Sequence, residues 1–183
     1  MNTKKIVITG GPGTGKSSVL QELSLRGDTC FPEISRQVTL EAQKQGIAQL
    51  FLTDPLLFSK KLLESRRQQY AGAEKEKAGR VFIDRGVHDV LAYMDYAGTS
   101  YPPDFTEICK HCRYDVIFVL PPWEDIYVSD NERYENFQQA EVIHHFIKST
   151  YIAYGYELVE VPIGPVSARV DFMLKYLETE KQW

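Results

Sequence analysis

Residues 4 to 18 read KKIVITGGPGTGKSS: a short β-branched run, a cluster of glycines, then a lysine and two serines. Lys4 to Thr9 predicts a strand that stops at glycine, and the spacing of Val19, Leu20 and Leu23 predicts a helix over Ser17 to Leu25. Between them, Gly10 to Ser17 fits the pattern G-x-x-x-x-G-K-[ST] in the strand-to-helix context the pattern requires. Such a loop binds phosphate, because its glycines let successive backbone N–H groups turn inward and the helix start adds positive partial charge. The expected nucleotide-binding set is Gly11, Pro12, Gly13, Thr14 and Gly15, followed by Lys16, Ser17 and Ser18. Lys16 is placed to reach the terminal phosphates and the Ser17 hydroxyl to ligate Mg2+. The expected ligand is ATP, with GTP as the open alternative.

Outward from this loop, strand and helix patterns alternate. Thr29 to Ile34 reads as a second strand and Ser35 to Gln45 as a helix. Asp54-Pro55 opens a long helix through Lys77, since Asp caps well and Pro suits the first helical position. Arg80 to Asp84 is a third strand, Val87 to Ala97 a helix, and Tyr101-Pro102-Pro103-Asp104 restarts a short helix to His111. Asp115 to Leu120 is a continuous apolar strand stopped by Pro121-Pro122, and Trp123 to Glu135 is irregular and charged. Asn136 to Tyr154 reads as a helix, Glu157 to Val161 as a last strand, and Val166 to Lys181 as a terminal helix. Alternating strands and helices with apolar strand runs imply a parallel sheet covered on both faces, a three-layer α/β sandwich of about five strands. The expected organisation is one domain over residues 1–183, with a lid-like insert near 123–136.

Composition narrows the function classes. The chain has 183 residues, enough to bury roughly 70% of its unfolded surface. Its formal charge is −4, so no global basic field gathers nucleic acid or anionic membrane. Lys60, Lys61, Arg66 and Arg67 read as a solvated helix face. The apolar run of MNTKKIVITGG is too short for a signal-peptide core and no stretch is long enough to span a bilayer, so the expected location is the cytoplasm. Of three cysteines, Cys109 and Cys112 form one C-x-x-C around His111 without a second ligand pair, and they read as small packing residues. His144 and His145, without a carboxylate or cysteine at ligand spacing, read as structural.

In an open α/β sheet ligands gather at the carboxyl ends of strands. Asp84 ends the apolar strand VFID and is the expected magnesium-side acid, through water; capping the next helix is its plainer alternative. Glu33 and Arg36, three apart across a helix start, can both face the cleft, Glu33 as base or ligand of an acceptor hydroxyl. Arg85 follows Asp84 and is the residue that most favours transfer over hydrolysis. Asp89 either orients Arg85, contacts an acceptor or is merely solvated. Arg133, in the irregular insert, is placed to reach the phosphates from a lid. Gly164, Pro165 and Val166, between the last strand and helix, can lie against a purine base.

Together, GGPGTGKSS at 10 to 18, PEISRQ at 32 to 37, FIDRGVHD at 82 to 89, DNER at 130 to 133 and VPIGPVSARV at 161 to 170 resemble a known family. It is that of the NadR-like AAA-domain P-loop ATPases, related to ribosylnicotinamide kinase and to nucleoside and nucleotide kinases. The resemblance covers nearly the whole chain. It implies a P-loop NTPase sheet of order 2-3-1-4-5, Asp84 on the metal side, Glu33 and Arg36 on the acceptor side, and Arg133 in a lid. No acceptor pocket is recognisable in the sequence. The leading expectation is a Mg2+- and ATP-dependent phosphotransferase acting on a small nucleoside-like metabolite. The competing one is a nucleotide-dependent switch or regulatory ATPase that binds a partner protein or a second copy of the chain.

Overall fold

Strand β1 (Lys4–Thr9) buries both of its faces: Ile6 and Ile8 enter one hydrophobic core, and Val7 the other. The computed structural model describes residues 3–47, 50–127 and 135–179. The same division runs through β4 (Val116–Val119), where Val116 and Phe118 face one core and Ile117 and Val119 the other. With β2 (Thr29–Phe31), β3 (Arg80–Asp84) and β5 (Leu158–Glu160), the strands form a parallel sheet of order β2-β3-β1-β4-β5.

Two helices cover one face: α1 (Lys16–Leu25) through Val19, Leu20 and Leu23, and the terminal α8 (Val166–Thr179) through Val170, Met173 and Leu177. The other face carries α4 (Pro55–Lys75), α5 (His88–Tyr96), α6 (Pro103–His111) and α7 (Phe137–Ala153), with α2 (Ser35–Lys44) at its margin. Cys109 and Cys112 are buried in this second core. Among the described residues no helix is long and apolar enough to cross a membrane.

Local chemistry explains the element ends. Asp54 accepts a hydrogen bond from the Leu57 N–H at 2.9 Å and Pro55 takes the first helical position of α4. Asn136 and Gln139 form a reciprocal capping box at the start of α7, with bonds of 2.9 and 2.8 Å. The expected strand at 29–34 stops at Phe31 because Pro32 has no N–H for the ladder. The long helix ends at Lys75 rather than Lys77, where the backbone of Glu76 turns extended. A one-turn helix α3 (Leu50–Thr53), which the sequence pattern does not single out, precedes α4.

Register sets the site. Ile8 pairs with Asp84, Thr9 with Val119, and Phe31 with Ile83, so β1, β2, β3 and β4 finish at one level. The phosphate loop, Glu33 and Asp84 leave the sheet from that edge.

Candidate active site

The loop from Gly10 runs into α1, whose N-cap, Gly15, is left-handed at φ 84°. Lys16 is buried and folds back over the loop, donating to the carbonyls of Gly10 at 3.1 Å and Gly11 at 2.8 Å and to Thr14 Oγ1 at 3.2 Å. Burial, then the nearby Arg85, pull its pKa down to about 7 against Asp84, Glu33 and Asp89. A phosphate chain seated on the loop would restore the full charge. Ser17 and Ser18 are exposed at the helix start, where the first backbone N–H groups lack intrahelical partners.

Asp84 is 3% exposed, and its Oδ1 has no hydrogen-bond partner among the described residues. It does not cap α5, which has no side-chain cap. Burial, then Glu33, push its pKa up to about 6, against the pull of Lys16, Arg85 and Arg66. A buried carboxylate with one unpartnered oxygen, near an exposed serine hydroxyl, suits a hard divalent cation that keeps some of its water. Asp84 and Ser17 therefore fit Mg2+, which would supply charge neutralisation between the phosphates.

Glu33 is held from three sides. Its Oε1 accepts from the N–H groups of Ile34 at 3.0 Å and Ser35 at 3.1 Å and from Arg66 Nη2 at 3.2 Å; its Oε2 accepts from Arg85 Nε at 3.0 Å. Burial alone would raise its pKa, but Arg66, Arg85, the Ser35 N–H and Lys16 outweigh it and hold the carboxyl at about 2. Arg85 itself sits at φ 66°, a left-handed conformation unusual for a residue with a side chain. Its Nη1 donates to Asp89 Oδ1 at 3.0 Å and its Nη2 to Tyr93 Oη at 3.2 Å.

Asp89 is fully buried, so of the readings open for it on α5 the solvated one is excluded. It accepts from Arg85, from the Gly86 N–H at 2.9 Å, from Tyr151 Oη at 2.7 Å and from Thr9 Oγ1. The aspartate thus fastens Arg85 to β1, α5 and α7 together.

The expected solvated face on α4 needs correction. Arg66 is only 3% exposed and donates to the Gly86 carbonyl at 3.0 Å as well as to Glu33. Its signal was present in the spacing, because Leu62 and Leu63 are buried and residue 66 falls on the same helical face. Tyr93 and Tyr151 were also missed, since nothing in a helix pattern distinguishes a tyrosine that hydrogen-bonds an active-site charge from one that packs.

These groups line one continuous cleft of about 1850 Å3. Lys16, Ser17, Asp84, Glu33, Arg85 and Asp89 all line it; Arg36 lines it from α2, and Gly164, Pro165 and Val166 line it from the loop after β5, at the sheet edge opposite β2. Beyond Glu33 the cleft continues between α2, α4 and α5 into a pocket walled by Phe58, Leu62, Tyr93 and Met94. Arg133 lies outside the described residues. His144 is buried on α7, where burial pulls its pKa to about 4, and it does not line the cleft.

A parallel sheet of order 2-3-1-4-5, a phosphate loop between its central strand and α1, and a buried acid at the end of the adjacent strand define the P-loop fold of the kinase type. The sequence model of the AAA domain family matches residues 5–169, and the chain belongs to that family. Its structure is similar to that of a deoxyadenosine kinase from M. mycoides with dCMP and a flexible dCDP bound, with a TM-score of 0.68 at 16% identity, covering 96% of this chain and 99% of that one. It is also similar to a NadR protein in complex with NR, with a TM-score of 0.73 at 17% identity, covering 97% of this chain and 51% of that one. The chain thus spans about half the length of that NadR. At these identities the likeness is one of fold. Comparison with curated protein sequences gives no match.

Proposed function

We propose that the chain is a Mg2+- and ATP-dependent phosphotransferase that moves the γ-phosphate onto a hydroxyl of a small nucleoside-like metabolite. One observation carries this reading: the Glu33–Arg85 pair stands in the cleft between the phosphate loop and a second, largely apolar pocket. A hydrolase needs room for water there, whereas an aromatic- and methionine-walled pocket suits the flat body of an organic acceptor. The fold is shared with a deoxyadenosine kinase and with a NadR protein that holds NR, which supports a nucleoside-like acceptor.

In this reading the acceptor oxygen forms a bond to the γ-phosphorus as the bond from phosphorus to the β–γ bridging oxygen breaks, and ADP leaves. Lys16 and Arg85 face the migrating charge, and Asp84 with Ser17 would hold the cation. Glu33, ionised from about pH 2 upward, is too weak a base to remove a hydroxyl proton early. It accepts the hydroxyl's hydrogen bond, aligns the oxygen and takes the proton late, as a loose phosphoryl-transfer transition state allows. Arg66 and Arg85 keep the carboxylate aimed.

The test is ADP release from Mg·ATP across a panel of nucleosides and related alcohols, with wild type and Glu33→Gln. The expected result is acceptor-dependent release that falls roughly 100- to 10,000-fold in the variant while ATP binding persists. ATP binding with no acceptor-dependent release anywhere in the panel would favour the nucleotide switch instead.

A further inference from the structure

Arg169, in the first turn of α8, has no role in the chemistry above. It is 2% exposed, yet it lines the cleft. Its Nη2 donates to the Thr14 carbonyl of the phosphate loop at 2.9 Å, while its buried Nε has no partner among the described residues. Its Nη1 lies 2.9 Å from where a side chain on Gly15 would begin, so the guanidinium rests against the N-cap of α1 only because that residue is glycine. No carboxylate forms an ion pair with it among the described residues. Burial lowers its pKa, the sign of a charge held without its counter-ion.

An unpaired buried guanidinium beside a helix N-terminus adds positive charge where the backbone is already electropositive. The group that satisfies it must be an anion with lone pairs for a planar fork, which describes a phosphate. Its place along the chain of phosphates follows from its helix. α8 begins at Val166, at the end of the cleft away from Glu33, so Arg169 stands between that end and the phosphate loop. With a base lying against Gly164 to Val166, the phosphate nearest Arg169 would be the one attached to the sugar.

Resting on the phosphotransferase reading above, we propose that Arg169 binds the α-phosphate of the donor and so makes this a site for nucleoside phosphates rather than for a bare polyphosphate chain. The experiment is calorimetry of wild type, Arg169→Lys and Arg169→Gln with Mg·ATP, with the Sp and Rp diastereomers of ATPαS and with inorganic tripolyphosphate. Wild type discriminates between the diastereomers, because a fixed guanidinium meets one non-bridging α-oxygen. Both variants bind ATP roughly 10- to 100-fold more weakly, lose less affinity for tripolyphosphate, and discriminate between the diastereomers by less than about twofold. Variants that keep the wild-type stereochemical preference, even at reduced affinity, would overturn the proposal and leave Arg169 as a prop for the Thr14 carbonyl. Failure of wild type to bind Mg·ATP at all would instead defeat the phosphotransferase reading itself.

Discussion

Burial and the neighbouring Glu33 both oppose charge on Asp84, and its pKa near 6 puts that conflict inside the range of ordinary buffers. The folded chain binds the Asp84 proton more tightly than the unfolded chain, whose carboxyl titrates at about 3.9. Stability is therefore lost as pH rises from there to about 6, by roughly 2–3 kcal/mol for the group taken alone. Glu33 has the opposite sign. Its contribution is present above its unfolded pKa of about 4.3 and is lost as pH falls toward 2. Without metal or nucleotide, Asp84→Asn should thus melt roughly 3–8 °C above wild type at pH 8, with the difference vanishing near pH 4. Mg·ATP should reverse the order at pH 8 by stabilising only wild type. A variant that melts below wild type at pH 8 without ligand would show that the carboxylate is not held against its preference. Asp84 was legible in the sequence as an acid closing an apolar strand. Asp89 was visible only as one option among three, because its burial depends on Tyr151 from a helix more than fifty residues away.

The elements that hold these residues meet at Gly86. A Cβ there would lie 2.6 Å from Tyr151 Oη and 2.8 Å from the Tyr114 ring, so the turn leading into α5 can sit this close to Tyr151 of α7 and to Tyr114, just before β4, only with glycine at this position. The same tyrosine hydroxyl donates to Asp89, which holds Arg85 in its left-handed backbone. Gly86→Ala should therefore destabilise the fold by roughly 1–3 kcal/mol, and it should cost more turnover than that loss of stability explains, because it displaces Arg85. Thermal melting alongside turnover measured well below the melting temperature separates the two effects, and wild-type values in both would contradict the packing described. At this scale the alternation of strands and helices followed directly from the residues, and Asp54-Pro55 and Asn136 marked two helix starts. Pro32 closed β2 earlier than its apolar pattern suggested. The one-turn α3 is too short for any periodicity to register.

For the whole molecule, the strand order could not come from the strands themselves, since apolar runs of similar length fit any position in a covered sheet. The expected 2-3-1-4-5 order rested on family resemblance, and the β-pairings show it. The order places β3 and its Asp84 beside β1 and its phosphate loop, and β2 with Glu33 one strand further out. In the proposed reading, the donor and the acceptor therefore share one cleft, with Glu33 and Arg85 between them. The second pocket was illegible in the sequence because its walls come from α4 and α5, which meet only in the fold. The most direct test follows the γ-phosphate itself. ATP labelled with 32P at the γ-position is incubated with the protein, Mg2+ and a mixture of nucleosides and related alcohols, and the destination of the label is read. Label on an organic acceptor, with little inorganic phosphate, is the predicted result; label found only in inorganic phosphate, at a rate indifferent to the mixture, would contradict the transfer site.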